Sequence, residues 1–211
     1  MNPNRYHFAR HERVDYLHAW DEQRRRVERI VTEGAPGLFW LLEHDPVYTV
    51  GRSGQRGEIR NEAIPVVESD RGGRVTYHGP GQTVGYVIRD LRPNIHAVRA
   101  HVFRLEEIVI RTLAGFGLLA EREAKNPGVW VNGEKIAALG VRIRQGVAYH
   151  GFAINRAPEL SAFAGIVPCG LQGRGVTSLF RLGIEVERQE LERRLRSAFQ
   201  DIFEAEWMES S

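Results

Sequence analysis

The chain has 211 residues, of which 42% are hydrophobic and 27% charged, with a formal net charge of +2. That length and apolar content suit one globular domain and exclude an intrinsically disordered chain. No uninterrupted apolar run approaches the ~18 residues of a bilayer span, and the N-terminal MNPNRYHFARHER lacks an apolar signal core, so a cytoplasmic address without membrane contact is expected.

Val14, Leu17, Trp20, Val27, Ile30 and Val31 recur mostly at helical spacing and predict an amphipathic helix that stops before Gly34 and Pro36. The residues ahead of it read as a frayed end. GLFWLLEH is a short continuous apolar run, hence a buried strand, and PVYTV is a second extended piece. Residues 51–60 form a polar, glycine-rich loop, IPVVES another strand, VTYH a short extended piece, and QTVGYVIRDL a further strand. Asn94 is a plausible N-cap for a long helix striped by Val98, Val102, Leu105, Val109, Leu113 and Phe116, ended by Gly115 and Gly117. Next, Asn132-Gly133 carries the type I′ hairpin signature and Gln145-Gly146 marks the following reversal, so residues 129–154 predict a three-stranded antiparallel meander. An irregular stretch with one short helical turn leads to a short strand, VTSLF. Leu191, Leu195, Phe199, Ile202 and Phe203 then stripe a final helix. The expected fold is α/β of the α+β type: one domain over 1–211, with a mixed, mainly antiparallel sheet flanked by helices and no alternating βαβ units.

Two residue types are scarce. Of 29 basic residues only Lys125 and Lys135 are lysine, and the other 27 are arginine. Base composition can explain such a bias, because 27 carboxylates balance the charge. A lysine that persists in this setting is still worth inspecting, since lysine can lose a proton near neutrality and arginine cannot. Cys169 is the single cysteine, which excludes an intramolecular disulfide and a multi-cysteine zinc site. A lone cysteine is most often a small buried hydrophobe. Here, however, Pro168-Cys169-Gly170 lies in a loop followed by Gly173 and Gly175, where backbone N–H groups can turn toward one point. That context favours a functional thiol, which wants a base or cation beside it. Lys135, just after the Asn-Gly turn, is either that partner or a solvated hairpin lysine.

Residues 71–82, RGGRVTYHGPGQ, combine close-approach glycines with Arg71, Arg74, Tyr77 and His78, and read either as a ligand loop or as a turn-rich surface loop. Neither this segment nor 51–57 matches a nucleotide-binding glycine motif, so no nucleotide cofactor is called for. His7 and His11 have the i, i+4 spacing of helical metal ligands but fall in the frayed end, and no metal site is assigned. His78 and His150 both sit between glycines, as proton shuttles or as satisfied polar residues. Gly140, Gly151 and Ala153 thin two adjacent strands, which eases packing or opens a slot for an elongated ligand.

RGGRVTYHGPGQ, NPGVWVNGEKIAALGVRI, YHGFAIN and PCGLQGRGVTSL occur in this order over about half the chain. Together they closely resemble the lipoyl(octanoyl) transferases, on the fold shared with biotin and lipoate protein ligases. The resemblance implies transfer of an octanoyl group from octanoyl-acyl-carrier protein to a lysine of a lipoyl domain. The acceptors would be the E2 subunits of 2-oxoacid dehydrogenases and the H protein of glycine cleavage, with no cofactor and no nucleic-acid partner. By the same resemblance Cys169 is the acyl-thioester nucleophile and Lys135 lowers its pKa. The substrate pocket takes in Arg71, Gly72, Gly73, Arg74, Val75, Thr76, Tyr77 and His78, with Ala138, Leu139, Gly140, Gly151, Phe152 and Ala153. Ala138 stands where many members have serine, a small change at a position that contributes backbone and space. The alternatives are an ATP-dependent lipoate or biotin ligase on the same fold, a cysteine hydrolase, and an arginine-rich nucleic-acid-binding module. The balanced charge and the absence of a recognition motif count against the last.

Overall fold

The computed structural model describes residues 4–61, 63–92, 97–123, 126–166 and 174–209. The chain runs β1 (Arg5–Arg13), α1 (Tyr16–Glu33), β2 (Gly37–Glu43), β3 (Val47–Val50), β4 (Val66–Glu68), β5 (Val75–His78), β6 (Gln82–Asp90) and α2 (Val98–Ala114). It continues through β7 (Glu121–Arg122), β8 (Gly128–Val131), β9 (Glu134–Arg144), β10 (Val147–Asn155), α3 (Arg188–Phe203) and β11 (Glu206–Trp207). The main sheet has eight strands in the order β11-β1-β2-β6-β10-β9-β8-β7, and a second sheet has three, β4-β3-β5.

The strands from β2 through β6, β10, β9 and β8 to β7 pair antiparallel, and β8, β9 and β10 are the meander that the hairpin signatures predict. Both turn pairs of the meander adopt the left-handed backbone that a type I′ turn demands: Asn132 and Gly133 at φ 51° and 79°, Gln145 and Gly146 at 51° and 80°. Three corrections follow. The N-terminal residues are not frayed: they form β1, which lies parallel to β2 with α1 as the crossover, so one βαβ unit is present. This strand has a single fully buried side chain, Tyr6, and its charged remainder hides the pattern. VTSLF is not a strand. Val176 makes one parallel bridge with Lys135, and the chain then enters a 3₁₀ turn at Phe180–Leu182. In the first turn of α1 Tyr16 and Ala19 are buried in place of Leu17, which faces solvent, while Val27 and Ile30 are buried as expected. The helix of 98–114 is as expected, but Asn94, read as its cap, lies outside the described residues, as do Cys169 and Gly170.

Apolar residues divide between the two faces of the main sheet. Leu105, Ile108, Val109 and Leu113 of α2 and Leu191, Leu195 and Phe199 of α3 pack on Phe39, Val87, Ile154 and Ile136. On the other face Ala19, Val27 and Ile30 of α1 cover Trp40, Ile88 and Tyr149. The second sheet forms its own small cluster around Tyr48, Tyr77 and Phe163 beside α1. The uncovered interval on that face, between the second sheet and β6, β10 and β9, is where the site forms. No helix among the described residues is long and apolar enough to cross a membrane.

Gly85 of β6 is demanded by its neighbour, because a Cβ there would run into the Phe152 ring. Gly85→Ala is expected to cost about 1–3 kcal/mol by overpacking. Urea unfolding should show most of that loss recovered in the Gly85→Ala/Phe152→Leu double variant, and independent, additive losses would contradict the contact.

Candidate active site

A cavity of about 690 Å³ opens in that interval, within the range of small-molecule sites. Its floor is the sheet itself. With a side-chain period of two, Gln82, Val84 and Tyr86 of β6 and Gly151, Ala153 and Asn155 of β10 face it, together with Ala138 and Gly140 of β9. Gly140 and Gly151 are direct cross-strand neighbours, so the floor has no side chains at that point. The 71–74 loop descends onto this bare strip. The Gly72 N–H donates to the Val141 carbonyl at 3.0 Å, and a Cβ at Gly140 would stand 2.8 Å from the Gly72 oxygen. The glycines thus permit a backbone-on-backbone approach that any side chain would block.

Arg71 fixes the loop from above. Its buried guanidinium donates to Thr49 Oγ1 at 2.9 Å, to the Thr49 carbonyl at 2.6 Å and to the Gly72 carbonyl at 2.9 Å. Arg74 pairs with Glu58 at 2.7 Å on the exposed rim. Of the residues singled out from the sequence, Arg71, Gly72, Gly73, Arg74, Val75, Thr76 and His78 line the cavity, with Lys135, Ala138, Leu139, Gly140, Gly151, Phe152 and Ala153. Tyr77 does not: strand alternation turns its ring into the small cluster, against Phe163 and Tyr48 at centroid distances of 5.4 and 5.8 Å.

Lys135 reaches the cavity because of a register break. Gly128 and Val129 pair with Ala138 and Ala137, but Trp130 and Val131 pair with Lys135 and Glu134, which leaves Ile136 as an extra residue in β9. Such a bulge inverts the alternation. Ile136 goes to the helix-side core, and Lys135 joins the face of Ala138 and Gly140. Its Nζ donates to Asn126 Oδ1 at 3.1 Å and to the Pro127 carbonyl at 3.3 Å, and lies 4.7 Å from the centre of the Trp130 ring. Its backbone is tied as well, since the Lys135 N–H donates to the Gly175 carbonyl and the Thr177 N–H to the Lys135 carbonyl, both at 3.0 Å. Ile166 and Val176, on either side of the 167–173 segment that contains Cys169, both line the cavity.

The opposite wall holds the buried His78 and His150, with His44 in contact with His78 and Tyr86, and each of the three has its proton placed by a neighbour. His44 donates through Nδ1 to the Val14 carbonyl at 2.6 Å and accepts the Tyr86 hydroxyl at Nε2 at 2.7 Å. His78 donates through Nδ1 to Gln82 Oε1 at 2.7 Å, because the Gln82 amide nitrogen is committed to Asn155 Oδ1 at 2.9 Å. Asn155 in turn donates to the Thr177 carbonyl at 2.9 Å, which links the wall to the segment beside Lys135. His150 donates through Nε2 to Asp70 Oδ1 at 2.9 Å, and Asp70 also receives Trp20 Nε1 at 2.9 Å and the Tyr149 hydroxyl.

Burial pushes His44 down to about 4 and, helped by competition with neighbouring His44 for a proton and by the Arg71 charge, His78 down to about 3. It lowers His150 against the pull of Asp70. Burial alone would raise Asp70, but hydrogen bonds from His150 and Tyr149 bring it to about 2. His150 stands in the left-handed region at φ 63° in mid-strand, a strained backbone for a side-chain-bearing residue that turns its N–H to Gln23 Oε1 at 2.8 Å. Among the described residues no group of His, Cys, Asp or Glu converges as a metal site would. His7 and His11 sit on β1, where four residues span about 13 Å, and His11 accepts the Trp40 indole N–H at 2.8 Å.

Gln82, Asn155, Asp70, Asn126 and Gly128 were not signalled by the sequence as site residues. Amides and acids inside strand or turn patterns carry no mark of their partners until the fold brings those partners in.

The model of the lipoyl protein ligase A/B catalytic domain matches residues 15–200, and the chain belongs to that family. Among curated relatives it is 53% identical to an octanoyltransferase of Magnetococcus marinus over 81% of both chains. It is 47% identical to one of Bradyrhizobium sp. strain BTAi1, over 92% of this chain and 85% of that one. The fold is similar to that of lipoate-protein ligase A in its crystal structure with ATP, with a TM-score of 0.78 at 15% identity, covering 97% of this chain and 88% of the other. The neighbour from an archaeal lipoylation system of Thermoplasma acidophilum, a bipartite lipoate protein ligase, gives 0.76 at 16% identity, covering 97% and 86%.

The neutral histidines carry a pH consequence. The unfolded chain takes up protons at His44, His78, His101 and His150 near the ordinary value of ~6.5, whereas burial keeps the folded protein from doing so until lower pH, far lower for the first three. Their contribution is therefore complete above ~6.5 and is lost as pH falls below it. The urea midpoint should drop markedly between about pH 7.5 and about pH 5, and an unchanged midpoint would contradict neutral burial.

Proposed function

We infer that this chain is an octanoyltransferase of protein lipoylation, which moves an octanoyl group from a thioester donor to a lysine of a lipoyl domain. The observation that carries the reading is its 41–53% identity to octanoyltransferases over most of the chain. The site agrees with it, as Lys135 is set into a cavity whose floor narrows to glycine and alanine along β9 and β10, at 138, 140, 151 and 153. We assign octanoyl-acyl-carrier protein as donor, 2-oxoacid dehydrogenase E2 subunits and the glycine-cleavage H protein as acceptors, and the reducing cytoplasm, which keeps a catalytic thiol free, as the place of action.

The chemistry is a two-step acyl transfer. Cys169 as thiolate, paired with the Lys135 ammonium, attacks the donor carbonyl. The new thioester forms, and the donor thiolate leaves with a proton from Lys135. The amine of the acceptor lysine then attacks, an amide forms, its proton passes to the now neutral Lys135, and Cys169 leaves as thiolate. One thioester replaces another in the first step, so it is nearly isoenergetic; the second makes an amide and runs downhill. The donor is already activated, so no nucleotide enters. Arginine in place of Lys135 could pair with the thiolate but could not take the proton in the second step.

Support for Cys169 comes from connectivity. It lies three residues after Ile166 and seven before Val176, both at the cavity wall, and Val176 is bridged to Lys135. The lining residues of the 71–78 and 138–153 segments are assigned to the acyl pocket, and Tyr77 to holding β5 in place. Intact mass spectrometry after mixing with octanoyl-carrier protein tests the reading. The wild type should gain one octanoyl adduct that an apo lipoyl domain discharges, Cys169→Ala should gain none, and Lys135→Arg should be acylated slowly and discharged scarcely at all. Absence of an adduct on the wild type would refute the reaction, and normal turnover by Lys135→Arg would remove the proton-transfer role.

A further inference from the structure

The helix α2 contributes a buried carboxylate beside Lys135 that the reaction above does not use. Glu106 accepts the Gly128 N–H at Oε1, 3.1 Å, and its Oε2 stands 3.4 Å from Arg122 Nε. Gly128 adopts φ 153°, and a Cβ there would lie 2.9 Å from Lys135 Cε and 3.2 Å from its Nζ. The end of the lysine side chain therefore rests on the bare Cα of Gly128, and Glu106 holds that glycine from below.

From these contacts we propose that Glu106 is a positioning residue for Lys135: it fixes the bed on which the amine lies, and its charge attracts the ammonium form. This rests on the reading that Cys169 and Lys135 carry out the transfer. The other partners of the amine point the same way. Asn126 Oδ1 and the Pro127 carbonyl can only accept, and the Trp130 face attracts cations. Charges on the surrounding elements are largely engaged with one another. Arg122 of β7 is shared between Glu106 and Glu107, Glu123 pairs with Arg174 at 2.7 Å, and Glu134 pairs with Arg181 at 3.4 Å. Burial raises the Glu106 carboxyl, opposed by the Gly128 N–H and by the Arg122 and Lys135 charges. The carboxylate and the amine thus sense each other through a poorly solvated gap, where charge acts more strongly than in water.

Two substitutions separate the two duties. Glu106→Gln keeps an oxygen for the Gly128 N–H and removes only the charge, whereas Glu106→Ala removes both. The measurement is the rate of Cys169 acylation by octanoyl-carrier protein as a function of pH, with thermal melting of each variant as a check on folding. In Glu106→Gln the plateau rate should stay within about twofold, while the alkaline limb, where Lys135 loses its proton, moves down by about one pH unit. In Glu106→Ala the plateau should also fall, by about tenfold or more, because a small displacement of a reacting group is costly. An alkaline limb that stays put in Glu106→Gln, with an undiminished plateau in a folded Glu106→Ala, would overturn the proposal and leave the Cys169 reaction standing. A wild type that forms no acyl-Cys169 would overturn the reaction and the proposal together.

Discussion

One extra residue in a strand governs the site. Had β9 continued in register past Ala137, its alternation would have sent Ile136 into the cavity and Lys135 toward the α2–α3 core. The break between Val129 and Trp130 reverses that assignment. It puts the apolar side chain among apolar neighbours and the amine over the floor, and leaves the Lys135 backbone to bond the 175–177 segment. Burial of Ile136 and presentation of Lys135 are thus the same event, and neither can be lost alone.

Around that point the protein combines a stripped floor with a neutral polar wall. Glycine at 72 and 140 lets the loop of the second sheet approach the main sheet, and the Arg71 guanidinium keeps it there through Thr49. The histidines opposite are hydrogen-bonded so that each donates to a protein acceptor and none needs to carry charge, which spares the cavity the cost of buried cations. The chain from His78 through Gln82 and Asn155 to Thr177 ties this wall to the 175–177 segment bonded to Lys135. The polar wall and the segment bonded to Lys135 are therefore one hydrogen-bonded body rather than two neighbouring features.

Much of this was legible in the sequence where a residue type has one physical use. Asn132-Gly133 announced its hairpin, the apolar stripes announced three helices, and a lysine among 27 arginines drew attention to position 135. Features that depend on partners were not legible. The strand 5–13 hides behind charges because it buries one side chain fully. VTSLF looks like a strand by composition but finds only one bridge, to Lys135. No local signal marks Ile136 as the bulge or His150 as left-handed, since both follow from what packs above and below them. Tyr77 shows the reverse: its neighbours in the motif line the cavity, but the period of two faces this member away from it. Glu106 went unseen because α2 was read for its apolar stripe, and a buried acid departs from that pattern.

The central claim is that Cys169 and Lys135 meet at the mouth of this cavity, with the acyl chain lying over the floor at Ala138, Gly140, Gly151 and Ala153. A crystal structure of the octanoylated protein tests it most directly. Expected is a thioester on Cys169, its sulfur within about 4 Å of Lys135 Nζ, the reach of the thiolate–ammonium pair that precedes and follows the acyl-enzyme, and the chain running between the 71–74 loop and β9–β10. An acyl group on another residue, or a Cys169 thioester directed away from Lys135 and the floor, would contradict it.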